Sequence, residues 1–308
     1  MKSADDVPLN APRQATASAT ANSRASSVAV LWLVLSALSF SLMAVCVKGV
    51  GQRIPLAEVV LARGVVSLSL SWGLLRRAGL SPWGTRRGLL ALRGVLGTVA
   101  LIFVYAAVTW LPLAAATVMH YIYPIFTALF AWWLLGERVP PKLGLAALVG
   151  WLGVLVVARP GLLTAGPLAP GAAALPLVGV LMAITGALLT SLAYVSVRSL
   201  GRSEHPLVIV FWFPLVAIPM SLPWMLHHPV LPTPPELLGL LGVGLFTQLG
   251  QIGLTQGLTR LPAAQATAIG YVQVAFAALW GRLFFGEALD GWTAAGAALI
   301  LAATLLSR

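Results

Sequence analysis

The sequence is poor in charge and almost free of cysteine. Only 9% of the 308 residues are charged, while 59% are hydrophobic. Soluble domains need about a quarter of their residues charged, so a soluble chain is excluded and lipid must cover most of this one. The single cysteine, Cys46, excludes a disulfide framework and a Cys-based zinc or iron–sulfur site. A Walker A motif is also missing, which argues against direct ATP drive.

Acidic residues are scarcer than basic ones, 8 against 19, and the formal net charge is +11. The basic residues occur singly and in pairs between apolar runs, without a recognisable nucleic-acid-binding motif. Membrane topology explains the excess better than nucleic acid does. We therefore expect a lipid bilayer as the main partner, with no nucleic acid, no metal and no cofactor.

Apolar runs divide the chain into membrane spans. Residues 1–27 have no such run, which predicts a disordered cytoplasmic tail. Val28–Val47 is long enough to span and lacks a clear cleavage site, so it is predicted to be the first transmembrane helix and not a signal peptide. The complete set of predicted spans is 28–48, 56–75, 88–109, 112–135, 143–159, 176–197, 206–226, 236–257, 262–285 and 291–306.

The distribution of Lys and Arg predicts the orientation. With ten spans and the N-terminus in the cytoplasm, thirteen basic residues fall on the cytoplasmic side and three on the outer side. Cytoplasmic loops carry such an excess in membrane proteins. We expect a multi-pass protein of the cell inner (plasma) membrane with both termini in the cytoplasm.

The chain contains an internal repeat at an offset of 150 residues. Tyr105–Glu137 aligns without a gap on Thr255–Glu287, and 12 of the 33 positions are identical. Each copy holds five spans, an odd number, so the second copy must cross the membrane in the opposite sense. The sequence thus predicts an all-α integral membrane protein with two inverted five-helix repeats, 28–160 and 176–308. Secondary transporters are often built in this way.

Several motifs resemble the drug/metabolite transporter superfamily, EamA type. They are Glu58 followed by Arg63, Arg93-Gly94, Tyr105-Ala106, Leu111-Pro112, Ala116-Thr117, Tyr121 to Pro124, Leu135-Gly136-Glu137-Arg138, Leu261-Pro262-Ala263-Ala264, Gly270-Tyr271-Val272-Gln273 and Phe285-Gly286-Glu287. The resemblance covers almost everything after residue 28. It implies ten helices, with helices 1–4 and 6–9 around a central cavity and helices 5 and 10 at the periphery.

Members of this family move amino acids, their derivatives, metallophores, vitamins or nucleotide-like metabolites, mostly outward. The resemblance therefore implies a secondary transporter that exports small polar metabolites by alternating access. An uptake carrier for a vitamin or nucleoside-like metabolite, such as riboflavin or S-adenosylmethionine, is the alternative. A membrane-embedded enzyme is disfavoured, because Glu58 is the only acidic residue convincingly inside a span. We expect no catalytic residues.

The fourth span provides the first candidate substrate-binding residues. Thr117, His120, Tyr121 and Pro124 share one helical face near mid-membrane. Pro124 leaves the carbonyl of His120 without its usual helical donor. The face either lines a polar cavity or forms a kink packed on a neighbour. A histidine there could also take up a proton, which would suit proton coupling.

Other candidates lie on later spans. Tyr271 is the repeat counterpart of Tyr121, and Gln248 and Gln251 share a face with Thr255 on span 8. Tyr105 is a weaker candidate of the same kind. All of these could instead serve as contacts between helices. Thr267, the counterpart of Thr117, is expected to hydrogen-bond to its own helix.

Charged and proline residues inside spans leave further alternatives open. Arg63 should find a carboxylate, a carbonyl or an anionic ligand, so it is a candidate for a structural ion pair, for a bond to a helix end or for binding a substrate carboxylate. Arg93 is expected to extend to the cytoplasmic face. Three prolines in span 7, Pro214, Pro219 and Pro223, indicate either a gate or a static bend. The oligomeric state cannot be read from this sequence.

Overall fold

The computed structural model describes residues 11–138, 142–158, 175–227, 229–270, 272–286 and 291–306. Within these ranges the chain forms α-helices and no strands. The helices are α1 (Ala11–Val50), α2 (Leu56–Arg77), α3 (Arg87–Trp110), α4 (Leu113–His120), α5 (Tyr123–Leu135), α6 (Leu143–Ala158), α7 (Leu177–Leu200), α8 (Pro206–His227), α9 (Pro234–Arg260), α10 (Ala263–Ile269), α11 (Val272–Phe285) and α12 (Gly291–Leu306).

Among the described residues, seven helical stretches are long and apolar enough to cross a membrane. They fall on the predicted spans 1 to 4 and 6 to 8: Ser27–Val50, Leu56–Arg77, Arg87–Trp110, Ala115–Leu135, Leu177–Leu200, Pro206–His227 and Pro234–Arg260. Predicted spans 5, 9 and 10 fall on the shorter helices α6, α10 with α11, and α12. The expectation of an all-helical, multi-pass chain is therefore confirmed.

The N-terminal segment differs from the expected disordered tail. Helix α1 begins at Ala11, although its apolar, membrane-length part begins only at Ser27. The extra turns are rich in alanine, the residue with the highest helix propensity. They can extend a helix that the apolar part has already nucleated, because propagation is easier than nucleation.

Helices of the first half pair with helices of the second half in a symmetric pattern. Helix α1 packs on α9 and α3 packs on α7, while α2 packs on α8 and α6 packs on α12. Helix α4 also packs on α11, and α5 packs on α10. Every helix of one half thus packs against the other half, and the space between the halves is enclosed by both.

Glycines allow the closest of these approaches. A Cβ atom on Gly253 of α9 would lie 2.5 Å from the carbonyl oxygen of Trp32 on α1, and one on Gly257 would lie 2.3 Å from Leu33. On α3, a Cβ atom on Gly94 would lie 2.6 Å from Val216 of α8. Small residues let helix backbones approach in this way in membranes, where hydrophobic driving force between helices is weak.

Two helices are broken at matching positions of the repeat. Helix α4 ends at His120 and α5 begins at Tyr123, while α10 ends at Ile269 and α11 begins at Val272. Pro124 explains the first break, although the sequence predicted one span there with a kink as one alternative. The second break contains Gly270 and has no proline, so sequence patterns gave no warning of it. Irregular backbone at membrane depth is tolerated only where protein or a polar cavity surrounds it.

The three prolines of span 7 do not interrupt their helix. Helix α8 runs continuously from Pro206 to His227 through Pro214, Pro219 and Pro223. Each proline removes one backbone hydrogen bond, but packing against α2 and α3 on one side holds the helix together. The structure thus shows an intact helix, and a gating role stays a hypothesis.

The α1–α9 contact gives a direct test of the packing. Gly253→Ala would place a methyl group against a backbone carbonyl that cannot rotate away, so we expect a destabilisation of about 1–3 kcal/mol. Gly49→Ala is the matched control, because a Cβ atom there meets nothing within 4 Å. Thermal unfolding of both variants in detergent measures the difference. Equal melting temperatures would contradict the packing described here.

Candidate functional site

A cavity of about 110 Å³ lies between the two halves of the chain. Five of the predicted site residues line it: Arg63, Tyr105, His120, Tyr121 and Gln251. Its walls also include Arg93 from α3, Tyr194 from α7, Phe213 from α8 and Gln273 from α11. Polar side chains from both halves therefore line one cavity.

The first helix break places an aromatic cluster on the cavity. His120 and Tyr121 lie at the break, and Tyr123 begins the next helix. The ring of Tyr123 is 5.1 Å from that of His120, 5.2 Å from that of Tyr121 and 5.3 Å from that of Tyr194. Such spacings are typical of favourable ring contacts. Within the described part of the chain, the buried Nδ1 atom of His120 has no hydrogen-bond partner.

The second helix break completes this side of the cavity. The Tyr121 hydroxyl donates a hydrogen bond of 2.8 Å to Oε1 of Gln273, which joins the two breaks across the repeat boundary. A Cβ atom on Gly270 would lie only 3.0 Å from the Tyr123 hydroxyl. Glycine at this break therefore leaves room for the aromatic cluster.

Arg93 is the main residue whose role the sequence prediction missed. Its side chain is 1% exposed, so the expectation that it extends to the cytoplasmic face is wrong. Gly97, one turn further along α3, leaves the space that Arg93 occupies, since a Cβ atom there would lie 2.8 Å from Nη1. The guanidinium donates to Oε1 of Gln251 at 2.9 Å and lies over the ring of Phe213, 4.4 Å from its centre.

Arg63 approaches the same phenylalanine from α2. Its guanidinium lies 4.6 Å from the centre of the Phe213 ring, and its Nε donates to the Thr247 hydroxyl at 2.9 Å. Neither Arg63 nor Arg93 has an ion pair with any described acidic residue. Of the roles that the sequence left open for Arg63, a structural ion pair is therefore not found in the described part of the chain.

Two predicted residues lie away from this cavity, and a third is not among the described residues. Gln248 is 2% exposed and bonds to Ser67 and Ser71 of α2, so the structure places it in a helix–helix contact and not on the cavity wall. Thr117 lines a second cavity of about 40 Å³, together with His120, Tyr105 and Gln273. Tyr271 lies outside the described residues.

Two other sequence expectations can be compared with the structure. Thr267 donates to the carbonyl of Ala263 on its own helix, as predicted. Tyr123 and Phe213 were not singled out. Tyr123 lies one residue before Pro124, so the proline could have indicated that Tyr123 lies at a helix break on the cavity. Phe213 carries no polar group, and only the packing of α8 on α2 and α3 reveals its place.

Polar contacts connect the halves at one end of the cavity, before the start of α2. Arg53 forms an ion pair with Glu236 of α9 and donates to the Leu231 carbonyl at 2.8 Å. Glu236 also accepts hydrogen bonds from the backbone and hydroxyl of Thr233 and so caps its own helix. Glu58 accepts from the backbone N–H of Val230.

A second group of contacts connects the halves at the other end, beyond the end of α2. The Glu204 carboxylate accepts hydrogen bonds from the Thr85 hydroxyl and from the backbone N–H groups of Thr85 and Arg86. Arg198, at the end of α7, donates to Glu137 at 2.9 Å. Both groups of contacts join the two halves through polar side chains that could separate and re-form.

The ionised form of the Glu204 carboxyl is favoured by its hydrogen bonds. Burial raises the pKa of its carboxyl, but the hydrogen bonds from Thr85 and the backbone of Arg86 outweigh that effect and lower the pKa below 4.5, its ordinary value. Hydrogen bonds to the charged form of a carboxyl favour that form. The contact is therefore at full strength at neutral pH.

Comparison with known proteins agrees with this architecture. The EamA-like transporter family matches residues 27–159 and 177–308. A pseudopaline exporter of Pseudomonas aeruginosa is 34% identical over 283 residues, which cover 91% of this chain and 95% of that protein. Human solute carrier family 35 member G1 is 29% identical, covering 90% of this chain and 77% of that protein. A riboflavin transporter of Rhizobium johnstonii is 30% identical, covering 90% of each.

A solved crystal structure shares the fold. It superposes with a TM-score of 0.64 over 94% of this chain and 96% of that chain, at 20% identity. The chain belongs to the EamA-like transporter family. The resemblance to the drug/metabolite transporters is thereby confirmed, and the protein is a multi-pass membrane transporter with a small-molecule substrate.

The Glu204 contact predicts a pH-dependent stability difference. We expect Glu204→Gln to lower the melting temperature at neutral pH, because an amide is a weaker acceptor than a carboxylate. Since the folded pKa is lowered, the contribution of Glu204 is present above 4.5 and is lost as pH falls through the folded pKa. Melting curves of both proteins against pH should therefore converge in acid. A pH-independent gap would contradict the assignment.

Proposed function

We propose that this transporter exports small polar, amino-acid-derived metabolites by alternating access. The observation that carries the proposal is the cavity between the halves, where two broken helices present His120, Tyr121 and Gln273 to one space. The similarity to a protein named as a pseudopaline exporter supports the outward direction. Substrate sites of many secondary transporters lie at such broken helices near the midplane.

We further propose the ten-span arrangement, with inverted repeats at 28–160 and 176–308. Three observations support it: the family matches the chain twice, the helices pair symmetrically between the halves, and the two breaks lie within one residue of equivalent repeat positions. The charge asymmetry of the loops supports a cytoplasmic location for both termini in the inner (plasma) membrane. In alternating access, the cavity would open to one side of the membrane and then to the other.

The cavity is smaller than most ligand-binding pockets. Ligand pockets usually reach about 300–1,000 Å³, whereas this cavity holds about 110 Å³. A metabolite therefore needs one end to open, and the contacts of Arg53 with Glu236 and of Glu204 with Thr85 are the groups that must separate. Helix α8 contacts the cavity through Phe213 and is the element we propose to move.

His120 is the residue we propose for coupling to protons. Its Nδ1 atom is buried on the cavity without a partner among the described residues. Imidazole is the side chain whose charge changes most readily near neutral pH. A proton taken up there would alter the charge of the site as the cavity opens to one side.

Uptake of a vitamin or nucleoside-like metabolite is the second candidate function. The similarity to a riboflavin transporter favours it, and the rings of Tyr121, Tyr123 and Tyr194 could stack on a flat heterocycle. A metabolite profile of cells and medium, with the protein overexpressed and deleted, separates the two functions. Accumulation of a compound outside supports export, and depletion from the medium supports uptake.

Variants of His120 and Gln248 test the cavity assignment. We expect His120→Ala to reduce transport at least tenfold while leaving folded yield near wild type, because His120 faces the cavity. Gln248→Ala, which removes bonds between α2 and α9, should lower the melting temperature more than transport. Initial transport rates and melting temperatures of both variants decide the matter. Parallel loss of yield and transport in His120→Ala would indicate a structural role.

The topology is open to an independent test. A reporter fused after Arg308 should report the cytoplasm, because ten spans return the chain to its starting side. A second reporter fused within the loop between α8 and α9, after Leu231, should report the opposite side. An outer signal from the Arg308 fusion would rule out the ten-span arrangement.

A further inference from the structure

Two buried arginines share one aromatic ring in the cavity. Arg63 is 2% exposed and Arg93 is 1% exposed, and their guanidinium carbons lie 4.6 Å and 4.4 Å from the centre of the Phe213 ring. These distances limit the separation of the two guanidinium carbons to about 9 Å. One small molecule could therefore touch both cations.

The chain does not supply these cations with acidic partners in its described part. Four of its eight acidic residues are described, and each of them contacts other groups: Glu58 with Val230, Glu137 with Arg198, Glu204 with Thr85 and Arg86, and Glu236 with Arg53. The other four, Asp5, Asp6, Glu287 and Asp290, lie outside the described residues. Buried cations without anions are strongly disfavoured at membrane depth.

The hydrogen-bonding groups of Arg93 are also incompletely used. One nitrogen, Nη2, donates to Gln251 at 2.9 Å. The buried Nε and Nη1 atoms have no hydrogen-bond partner within the part of the chain that the structure describes. A guanidinium carries five donors in a planar fork that matches the two oxygens of a carboxylate. Arg93 lines the cavity, so a carboxylate bound there would lie beside a guanidinium with unused donors.

We infer that the substrate is an organic anion with two carboxylates, one bound by Arg93 beside Gln251 and the other by Arg63. This inference deepens the proposed export function and rests on it. A zwitterion with one carboxylate would leave one cation uncompensated. The Phe213 ring lies against both guanidinium groups, and its face stabilises them through cation–π contacts.

The remaining walls define the rest of the substrate. The aromatic cluster of His120, Tyr121, Tyr123 and Tyr194 borders the same cavity. Ring faces attract ammonium groups and stack on flat groups. Arginine donors match the oxygens of carboxylates and of phosphates alike, so phosphate serves as a competing probe in the test below. An amino acid derivative with a second carboxylate satisfies both parts of the cavity.

Ligand-induced stabilisation tests the arginine pair in the purified full-length protein. Millimolar glutarate should raise the melting temperature of the wild type by about 2–4 °C, whereas its uncharged diamide, glutaramide, should not. The shift should vanish in Arg63→Met and in Arg93→Met. Arg202→Met is the matched control, because Arg202 is exposed in the loop between α7 and α8, and it should respond like the wild type.

Stability without ligand shows whether the variants fold. We expect ligand-free Arg93→Met to melt at or above the wild-type temperature, because the substitution removes an uncompensated buried charge. Gly97→Ala is a second variant that keeps both arginines, but its added methyl group would displace Phe213 and Arg93. It should weaken the glutarate response. Its folded yield is checked in the same measurement.

Several outcomes would overturn the inference. Wild-type protein that is not stabilised by glutarate, or that responds equally to glutaramide, would do so. A glutarate response that persists in Arg93→Met would also do so. Inorganic phosphate is the third probe, and a phosphate response equal to that of glutarate would show a general anion site without preference for two carboxylates.

The exported compound provides a test that separates this inference from the proposed function. Methyl esterification of the compound that accumulates outside should add two methyl groups or more, as read by mass spectrometry. A compound that accumulates but gains one methyl group or none would overturn the inference and leave export intact. If nothing accumulates, export itself fails, and the glutarate measurements still decide whether the cavity binds a dicarboxylate.

Discussion

The structure depends on one constraint: every polar group at membrane depth must find its partner within the protein. Lipid offers no hydrogen bonds, so regular helices dominate and irregular backbone is confined to places that protein encloses. The two helix breaks, at His120 and at Gly270, face each other across the boundary between the halves. The same enclosed space receives Arg63 and Arg93. The need to enclose polar groups within the protein therefore favours one cavity shared by both halves.

Close packing makes that cavity possible. Glycines on α3 and α9 bring neighbouring helices within touching distance, and the helix pairs join one half of the chain to the other. Neither half can move without changing its contacts with the other half. Polar contacts outside the cavity also join the halves, Arg53 with Glu236 and Glu204 with Thr85. Such contacts exchange readily with water, which suits surfaces that open in turn.

Charge gives the cavity its chemical character. Two cations and several hydroxyl and amide groups line the cavity, and the described lining contains no carboxylate. Soluble proteins would pair such arginines with carboxylates of their own, but this chain has few acidic residues and uses the described ones at the cavity ends and helix termini. The negative charge that the site requires is therefore left for the substrate to supply.

The sequence by itself determined the membrane class, the all-helical fold, the repeat and the family, because these depend on composition, apolar run length and local motifs. It also singled out His120, Tyr121 and Gln251, which line the cavity, because polar residues inside spans are rare. Only the tertiary structure decided that Gln248 packs between helices, that Arg93 turns inward and that Phe213 contacts both arginines. Those outcomes depend on which neighbouring helix each side chain meets, and no single-helix pattern carries that information.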